Sequence, residues 1–295
     1  MFIQQIVNGL TVGGIYALIA IGYTMVYGII ELINFAHGEI YMLGAFFTLV
    51  LIKNFNIPWI LAVIVSMLFC SLLGIVIDYI AYRPLRKSPR LTVLITAIGM
   101  SLFLQNMSLL LWGGRTQHFP EEALPLFFSI SAINIGEINI SWLQIIIIFV
   151  TFLIMLGLHF LVTKTKLGKA MRATAQDSTT ASLMGINPDH IISYTFALGS
   201  CLGGLSGIMV GLYYNAIFPT MGYTAGIKAF SAAVLGGIGN LPGAMLGGVL
   251  LGVAEVLGAG YISSSYRNGI AYAVMIIVIV FRPSGLLGRK LVKKV

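Results

Sequence analysis

Charge is what this sequence has least of. Only 9% of its 295 residues are Asp, Glu, Lys or Arg, against about 25% in a soluble domain. Seventeen basic and nine acidic side chains cannot cover a water-facing surface on a chain of this length. Disorder is excluded by the same numbers, because disordered chains are poor in apolar residues and rich in charge. Cysteine is nearly absent. Cys70 and Cys201 both fall in apolar runs and read as small buried hydrophobes, and two thiols alone make no structural zinc site. No positive charge precedes the first apolar run, which is too long for a cleaved leader, so that segment is expected to stay in the mature chain. A phosphate cradle is missing as well. Gly168-Lys169 has Thr163 where a P-loop needs glycine and Ala170 where it needs Ser or Thr. No hydrophilic domain is left to host hydrolase or transferase chemistry, so the chain reads as a non-enzyme with no cofactor and no metal of its own.

What is present is apolar: 58% of the residues, arranged in runs near the 20 residues that cross a roughly 30 Å hydrocarbon core. Six runs are clear, at 6–30, 59–82, 91–112, 142–162, 191–214 and 268–281. Two more regions are apolar but interrupted: 31–52, broken around Asn34, His37, Gly38 and Glu39, and 225–261, broken at Gly237 to Gly243. Continuous runs rather than alternating ten-residue segments exclude a membrane β-barrel. The expectation is an all-α integral membrane protein of about eight spans, in one domain over 1–295.

The basic residues are clustered, not spread. Arg83, Arg86, Lys87 and Arg90 form one group; Lys164, Lys166, Lys169 and Arg172 a second; Arg282, Arg289, Lys290, Lys293 and Lys294 a third. Each flanks a long apolar run, which is the positive-inside signature and places all three in the cytoplasm, the C-terminus included. A nucleic-acid patch would need a folded basic face with stacking aromatics, and no segment offers one. Residues 113–141, holding Glu121, Glu122 and Glu137 with Arg115 as the basic residue, then lie outside. The interrupted region between 214 and 268 must leave and return on one side, as a hairpin or re-entrant pair.

Several features carry chemistry. Gly199, Gly203, Gly207 and Gly211 recur every four residues, a small-residue stripe that lets helix backbones approach in lipid, either within the chain or at a subunit contact. Leu235 to Gly248 holds six glycines and Pro242, reading as a broken helix beside a path at membrane depth or as a tight turn at the membrane edge. Asn34, His37 and Glu39 stand together after an apolar span. They read as a substrate path or gate, a polar structural break, or a proton site; one His and one carboxylate fall short of a metal-ligand set. Asp78 and Glu255 are lone acids near span ends, read as interfacial or packed against backbone. Asn34 and Asn240 are each followed by a glycine and a Met-Leu-Gly, at 42–44 and 245–247, which is either a two-half repeat of the kind transporters carry or chance in a Leu- and Gly-rich chain.

The segment 164–190 is the informative one outside the spans. Asp177 is placed to cap a helix over Ser178–Met184, Gly185 to stop it, and Asn187-Pro188 to start the next span. Its small face, Ala173, Ala181 and Gly185, suits docking into a partner's groove.

The motifs "GYTMVYGI" (22–29), "INFAHGE" (33–39), "AYRPLR" (81–86), "TAIGMSLFLQN" (96–106), "RATAQD" with "ASLMGIN" (172–187), "KAFSAAVLGGIGNLPGAMLGG" (228–248) and "RPSGLLG" (282–288) occur in this order. Over essentially the whole chain this resembles the smaller membrane permease of the high-affinity branched-chain amino-acid ABC importers. The resemblance implies alternating access for leucine, isoleucine and valine in a bacterial inner membrane. It also implies a second homologous permease, two cytoplasmic ATPases that hold ATP and magnesium, and an external amino-acid-binding protein. Matched to the family's coupling motif are Ala173, Asp177, Ala181, Gly185 and Ile186, although Ala173-Thr174-Ala175 stands where older importers have Glu-Ala-Ala. Path or gate residues would be Asn34, His37, Glu39, Gly239, Asn240, Pro242 and Gly243, with Gly239 expected at a close backbone approach. Permeases for urea or short amides share the motifs, and an ion-coupled secondary transporter using His37 and Glu39 is the reading from a different class.

Overall fold

The computed structural model describes residues 2–86, 88–120, 122, 124, 125, 128, 130–135, 138–282 and 284–288. Of the charged residues singled out above, Lys87, Glu121, Glu137, Arg289, Lys290, Lys293 and Lys294 lie outside that set. Helix dominates: α1 (Phe2–Ile30), α2 (His37–Phe55), α3 (Trp59–Ile77), α4 (Arg90–Trp112), α5 (Trp142–Lys164), α6 (Lys166–Gln176), α7 (Ser178–Leu183), α8 (Pro188–Tyr214), α9 (Met221–Gly236), α10 (Leu241–Tyr261) and α11 (Arg267–Phe281). A π-helical turn, Asp78–Tyr82, and a 3-10 turn, Arg83–Leu85, extend α3. A small antiparallel hairpin, β1 (Ser131–Ile135) with β2 (Ile138–Ser141), lies between α4 and α5.

Among the described residues, eight helical stretches are long and apolar enough to cross a membrane: α1, α2, α3 with its extension, α4, α5, α8, α10, and α11 with the turn before it. The helix starts follow from local sequence. Pro58 and Pro89 precede α3 and α4, and Pro188 and Pro242 sit in the first turns of α8 and α10, where a missing N–H costs nothing. At α5, Ser141 accepts from the Gln144 N–H while the Gln144 side chain accepts from the Ser141 N–H at 3.0 Å, a reciprocal cap.

Contacts place the helix ends. Glu31, after α1, pairs with Arg90 at 2.9 Å; Arg83 and Arg86 pair with Asp189 at the start of α8; and Leu286 donates to the Leu235 carbonyl at 2.8 Å. The described members of the basic clusters thus gather at one end of the bundle. At the opposite end Gln4 exchanges hydrogen bonds with Asn139, and Gln117 pairs with Ile217 through backbone bonds of 2.8 and 2.9 Å.

The two interrupted regions resolve differently from a break within a span. Residues 31–36 leave α1 and return before an unbroken α2. The second break is confined to 237–240 and lies at the basic end against 284–288, which is the tight-turn form. α9 has 16 residues, about 24 Å of helix, and stops short of a full crossing. α1 is the centre of the bundle, packed on α10, α8, α9 and α5.

Candidate functional site

Asn34, His37 and Glu39 are all buried, at 2%, 1% and 1% exposure. The segment that carries them turns out of α1 at Glu31, whose φ is 53°, and folds back into the bundle. Asn34 accepts from the Tyr82 hydroxyl at 2.9 Å. His37 lies against Gly22 of α1 and Gly203 of α8, with the Tyr23 ring edge-on at 4.8 Å between centroids. Glu39 accepts from the Ser101 hydroxyl of α4 at 3.1 Å, and its other oxygen sits beside Gly222 at the start of α9.

Two residues apart on a helix is about 200° of rotation, so His37 and Glu39 point to opposite sides of α2. A shared metal or proton site built from that pair does not fit this geometry. Among the described residues no three His, Cys, Asp or Glu side chains converge on a metal site. What the segment does show is unmet polarity: Asn34 Nδ2, His37 Nε2, Glu39 Oε2 and nearby Thr24 Oγ1 are buried with no hydrogen-bond partner among the described residues. Each such atom costs roughly 1–3 kcal/mol.

The second break approaches the first. Ile33 and Ile238, one from each broken segment, line the same small apolar cavity with Tyr23, Tyr27, Phe230 and Ala233. Asn240 caps α10 through the Gly243 N–H at 3.2 Å and donates to the Leu287 carbonyl, while Gly243 packs on the Gly236 carbonyl. Pro242 lies in the first turn of α10. The close approach expected at Gly239 falls two residues earlier. A Cβ at Gly239 would have only the Gly28 Cα nearby, at 3.9 Å, whereas one at Gly237 would meet the Gly288 N at 2.5 Å. What Gly239 supplies is its φ of 88°.

Between α5 and α8 the chain forms two short helices. Asp177 caps α7 by accepting from the Thr179 N–H at 2.9 Å and from the Thr180 hydroxyl. Gly185 follows α7 with a φ of 83°, and Asn187 caps α8 by accepting from the Asp189 and His190 N–H groups. Ala181 is buried, Ala173 and Ile186 are half-buried, and the Ile186 N–H returns to the Ala181 carbonyl at 3.1 Å. The small face expected to dock is therefore largely turned inward. Leu183 and Met184, at 84% and 78% exposure, form the outward face with Gly185. α6 was not anticipated. Its signal was available in the Thr165 cap and in Gly168, Met171 and Thr174, which recur at helical spacing and are its buried residues.

A profile of the family described as branched-chain amino acid transport system, permease component, matches residues 5–279. The chain belongs to this family. It is 47% identical over 302 residues to the high-affinity branched-chain amino acid transport system permease protein BraD of Pseudomonas aeruginosa, covering 100% of this chain and 98% of that one. With LivH of Escherichia coli K12, which carries the same description, identity is 44% over 306 residues with the same coverage. Among solved structures, the PsaBC complex of Streptococcus pneumoniae with a Fab superposes with a TM-score of 0.50 at 14% identity, covering 95% of this chain and 91% of that one; the likeness is one of fold.

In this permease the glycine stripe of α8 lies inside the chain. Gly199 faces Gly22 of α1, Gly203 faces His37, Gly207 has no room beside the Tyr41 carbonyl, and Gly211 faces Phe119 and Ile217. The two lone acids prove to be ion-paired. Asp78 is fully buried and accepts from Arg86 at 2.5 Å and from the Ser193 hydroxyl at 2.7 Å. Glu255, also fully buried, takes Lys228 of α9 at 2.9 Å and Arg267 of α11 at 2.7 Å. Sequence reasoning passed over Lys228, although a single lysine inside "TAGIKAFSAAV" is the kind of intramembrane charge that marks a functional position.

Proposed function

We propose that this permease moves branched-chain amino acids across a bacterial cytoplasmic membrane by alternating access, as one membrane subunit of an ATP-binding-cassette importer. The carrying observation is the family match over nearly the whole chain, with relatives of that named activity at 44% and 47% identity. The partners in this reading are a second permease, two cytoplasmic ATPases and an external binding protein; ATP and magnesium belong to the ATPases. The basic end faces the cytoplasm by the positive-inside rule, so the C-terminus lies inside and Gln4, at the opposite end, outside.

ATPase closure enters at α6 and α7, through Asp177, Gly185, Ile186 and the exposed Leu183 and Met184, and passes directly into α8. The breaks at 31–36 and 237–240 flank the inner end of α1 and gate the path there, with Asn34, His37 and Glu39 as its polar lining. The separation of His37 from Glu39 across α2 speaks against an ion-coupled carrier built on that pair. The test is uptake of labelled leucine at sub-micromolar concentration in cells lacking the gene and in complemented cells. Uptake lost and then restored supports the reading. Undiminished uptake in the deletion strain, with other leucine carriers removed, overturns the substrate and directs the test to urea and short amides.

A further inference from the structure

The ionic cluster around Glu255 is not used by the mechanism above, and its bonding is unbalanced in a telling way. Glu255 Oε1 accepts three hydrogen bonds: from Lys228 Nζ at 2.9 Å, Arg267 Nε at 2.7 Å and the Tyr16 hydroxyl at 3.1 Å. Glu255 Oε2, buried beside it, accepts none among the described residues. Lys228 gives a second bond to the Tyr16 hydroxyl at 3.2 Å, and Arg267 gives one to Tyr214. An ammonium has three donors and a guanidinium five, so both cations keep donors in reserve. Two cations meet one carboxylate, and no second acidic side chain among the described residues pairs with either; an unbalanced charge within a membrane span is expensive.

The cluster therefore offers two complementary vacant valences side by side: a carboxylate oxygen that lacks a donor and cationic N–H groups that lack an acceptor. The ligand that satisfies both at once carries an ammonium and a carboxylate on neighbouring atoms. The cluster is graded in exposure, the Arg267 side chain being 33% exposed while Lys228 and Glu255 are at 9% and 0%, so a ligand would meet Arg267 first. Arg267 opens α11, directly after the turn at the non-basic end, which is the entry side in the reading above.

We propose that Glu255 and Arg267, held by Lys228, Tyr16 and Tyr214, form a station that reads the zwitterionic head of an α-amino acid entering the permease. The Arg267 fork takes the carboxylate and Glu255 Oε2 the ammonium. This rests on the amino-acid reading and gives the permease its own discrimination against urea and amides, which carry no carboxylate for a guanidinium fork.

The experiment uses the purified permease–ATPase assembly without binding protein and reads its thermal midpoint, since a ligand that binds the folded state raises it. Millimolar leucine is compared with leucinamide, which lacks the carboxylate, and 4-methylpentanoate, which lacks the amine. Leucine is expected to raise the midpoint and each analogue to raise it by less than half as much. In Arg267→Gln and Glu255→Gln the leucine increment disappears, while Arg267→Lys keeps part of it. In cells, Arg267→Gln raises the half-saturating leucine concentration by about tenfold, the loss of one charge-assisted contact, with uptake at saturation retained. Equal increments from all three ligands overturn the station, as do undiminished increments in the glutamine variants. Should those variants not fold, the wild-type ligand series decides alone. Leucine uptake that does not depend on this gene overturns the amino-acid reading and the station with it; gene-dependent uptake with a flat ligand series overturns the station only.

Discussion

The spans divide into two kinds. In α1 and α8, 78% of the most apolar window is buried within the chain; in α5 the share is 17% and in α11 it is 6%. The buried kind is not the more apolar. α3 and α5 are the most hydrophobic spans and are largely exposed, whereas α1, α2 and α8 carry glycines and hydroxyls and form the interior. In lipid a core helix gains little from greasiness and much from letting another backbone come close. Gly13 of α1 meets Gly252 and Val249 of α10, and Gly44 of α2 meets Gly204 of α8. Hydropathy alone does not sort the spans, since α4 and α11 face outward while being no more apolar than buried α1; small residues report the core.

That contrast breaks most sharply at the glycines. Gly207→Leu and Gly252→Leu, whose new side chains would overlap the Tyr41 carbonyl and the Gly13 backbone, are expected to abolish folded protein in the membrane fraction. Gly157→Leu and Gly99→Leu, with nothing within 4 Å, should leave abundance at the wild-type level. Immunoblots of membranes before and after mild heating read both, and equal losses in the two pairs would dissolve the distinction. Next in size is Asp78→Asn, which takes the charge from the buried partner of Arg86 and should cost about 3 kcal/mol, measured as a shift in detergent thermal unfolding. Gly239→Val comes third, at about 1–2 kcal/mol for a β-branched residue held at positive φ; a larger loss would mean that the 237–240 turn is as tightly walled at 239 as at 237.

Asp177→Lys removes the α7 cap and should cost only about 1 kcal/mol of stability while abolishing leucine uptake. Uptake at the wild-type rate with normal abundance would remove α7 from the coupling assignment. The smallest effect belongs to Arg90→Gln. Its ion pair with Glu31 is exposed on both sides, at 81% and 66%, so the expected cost is below about 1 kcal/mol.

What could be read without coordinates follows the same division. The six clear runs match helices to within a few residues because length and continuous apolarity are local properties. So are the caps: Asp177 and Asn187 each accept from N–H groups two or three residues ahead. The places where reading stopped are the non-local ones. Nothing in "GEIYMLG" says that Glu39 faces Ser101 some 60 positions away, or that His37 turns from it toward Gly22 and Gly203. Glu255 looked alone because Lys228 and Arg267 are brought in by packing, as Ser193 is to Asp78; Arg86, the ion-pair partner of Asp78, stands only eight positions on, across the turns that extend α3. The exposed Leu183 and Met184 were hidden by attention to Ala181, the residue that in fact anchors α7 to the bundle. Glycine at 239 was read for space when the turn uses it for backbone angle.

α8 has one further property, which is mechanical. Its 27 residues make a rod about 40 Å long, joined at its foot to α7 through Ile186 and held at its head by Asn215, whose side chain accepts from the Phe119 N–H at 2.9 Å. Gly207 seats its middle against α2 with no clearance, and Gly199 and Gly203 lie close on Gly22 of α1 and His37 of α2, so that stretch can serve as a fulcrum. A stiff lever pivoted near its midpoint returns at one tip about the travel imposed on the other, in the opposite sense. A sideways step of a few ångströms at Pro188 would therefore arrive, reversed and undiminished, beside the Gln117–Ile217 pair beyond the other tip.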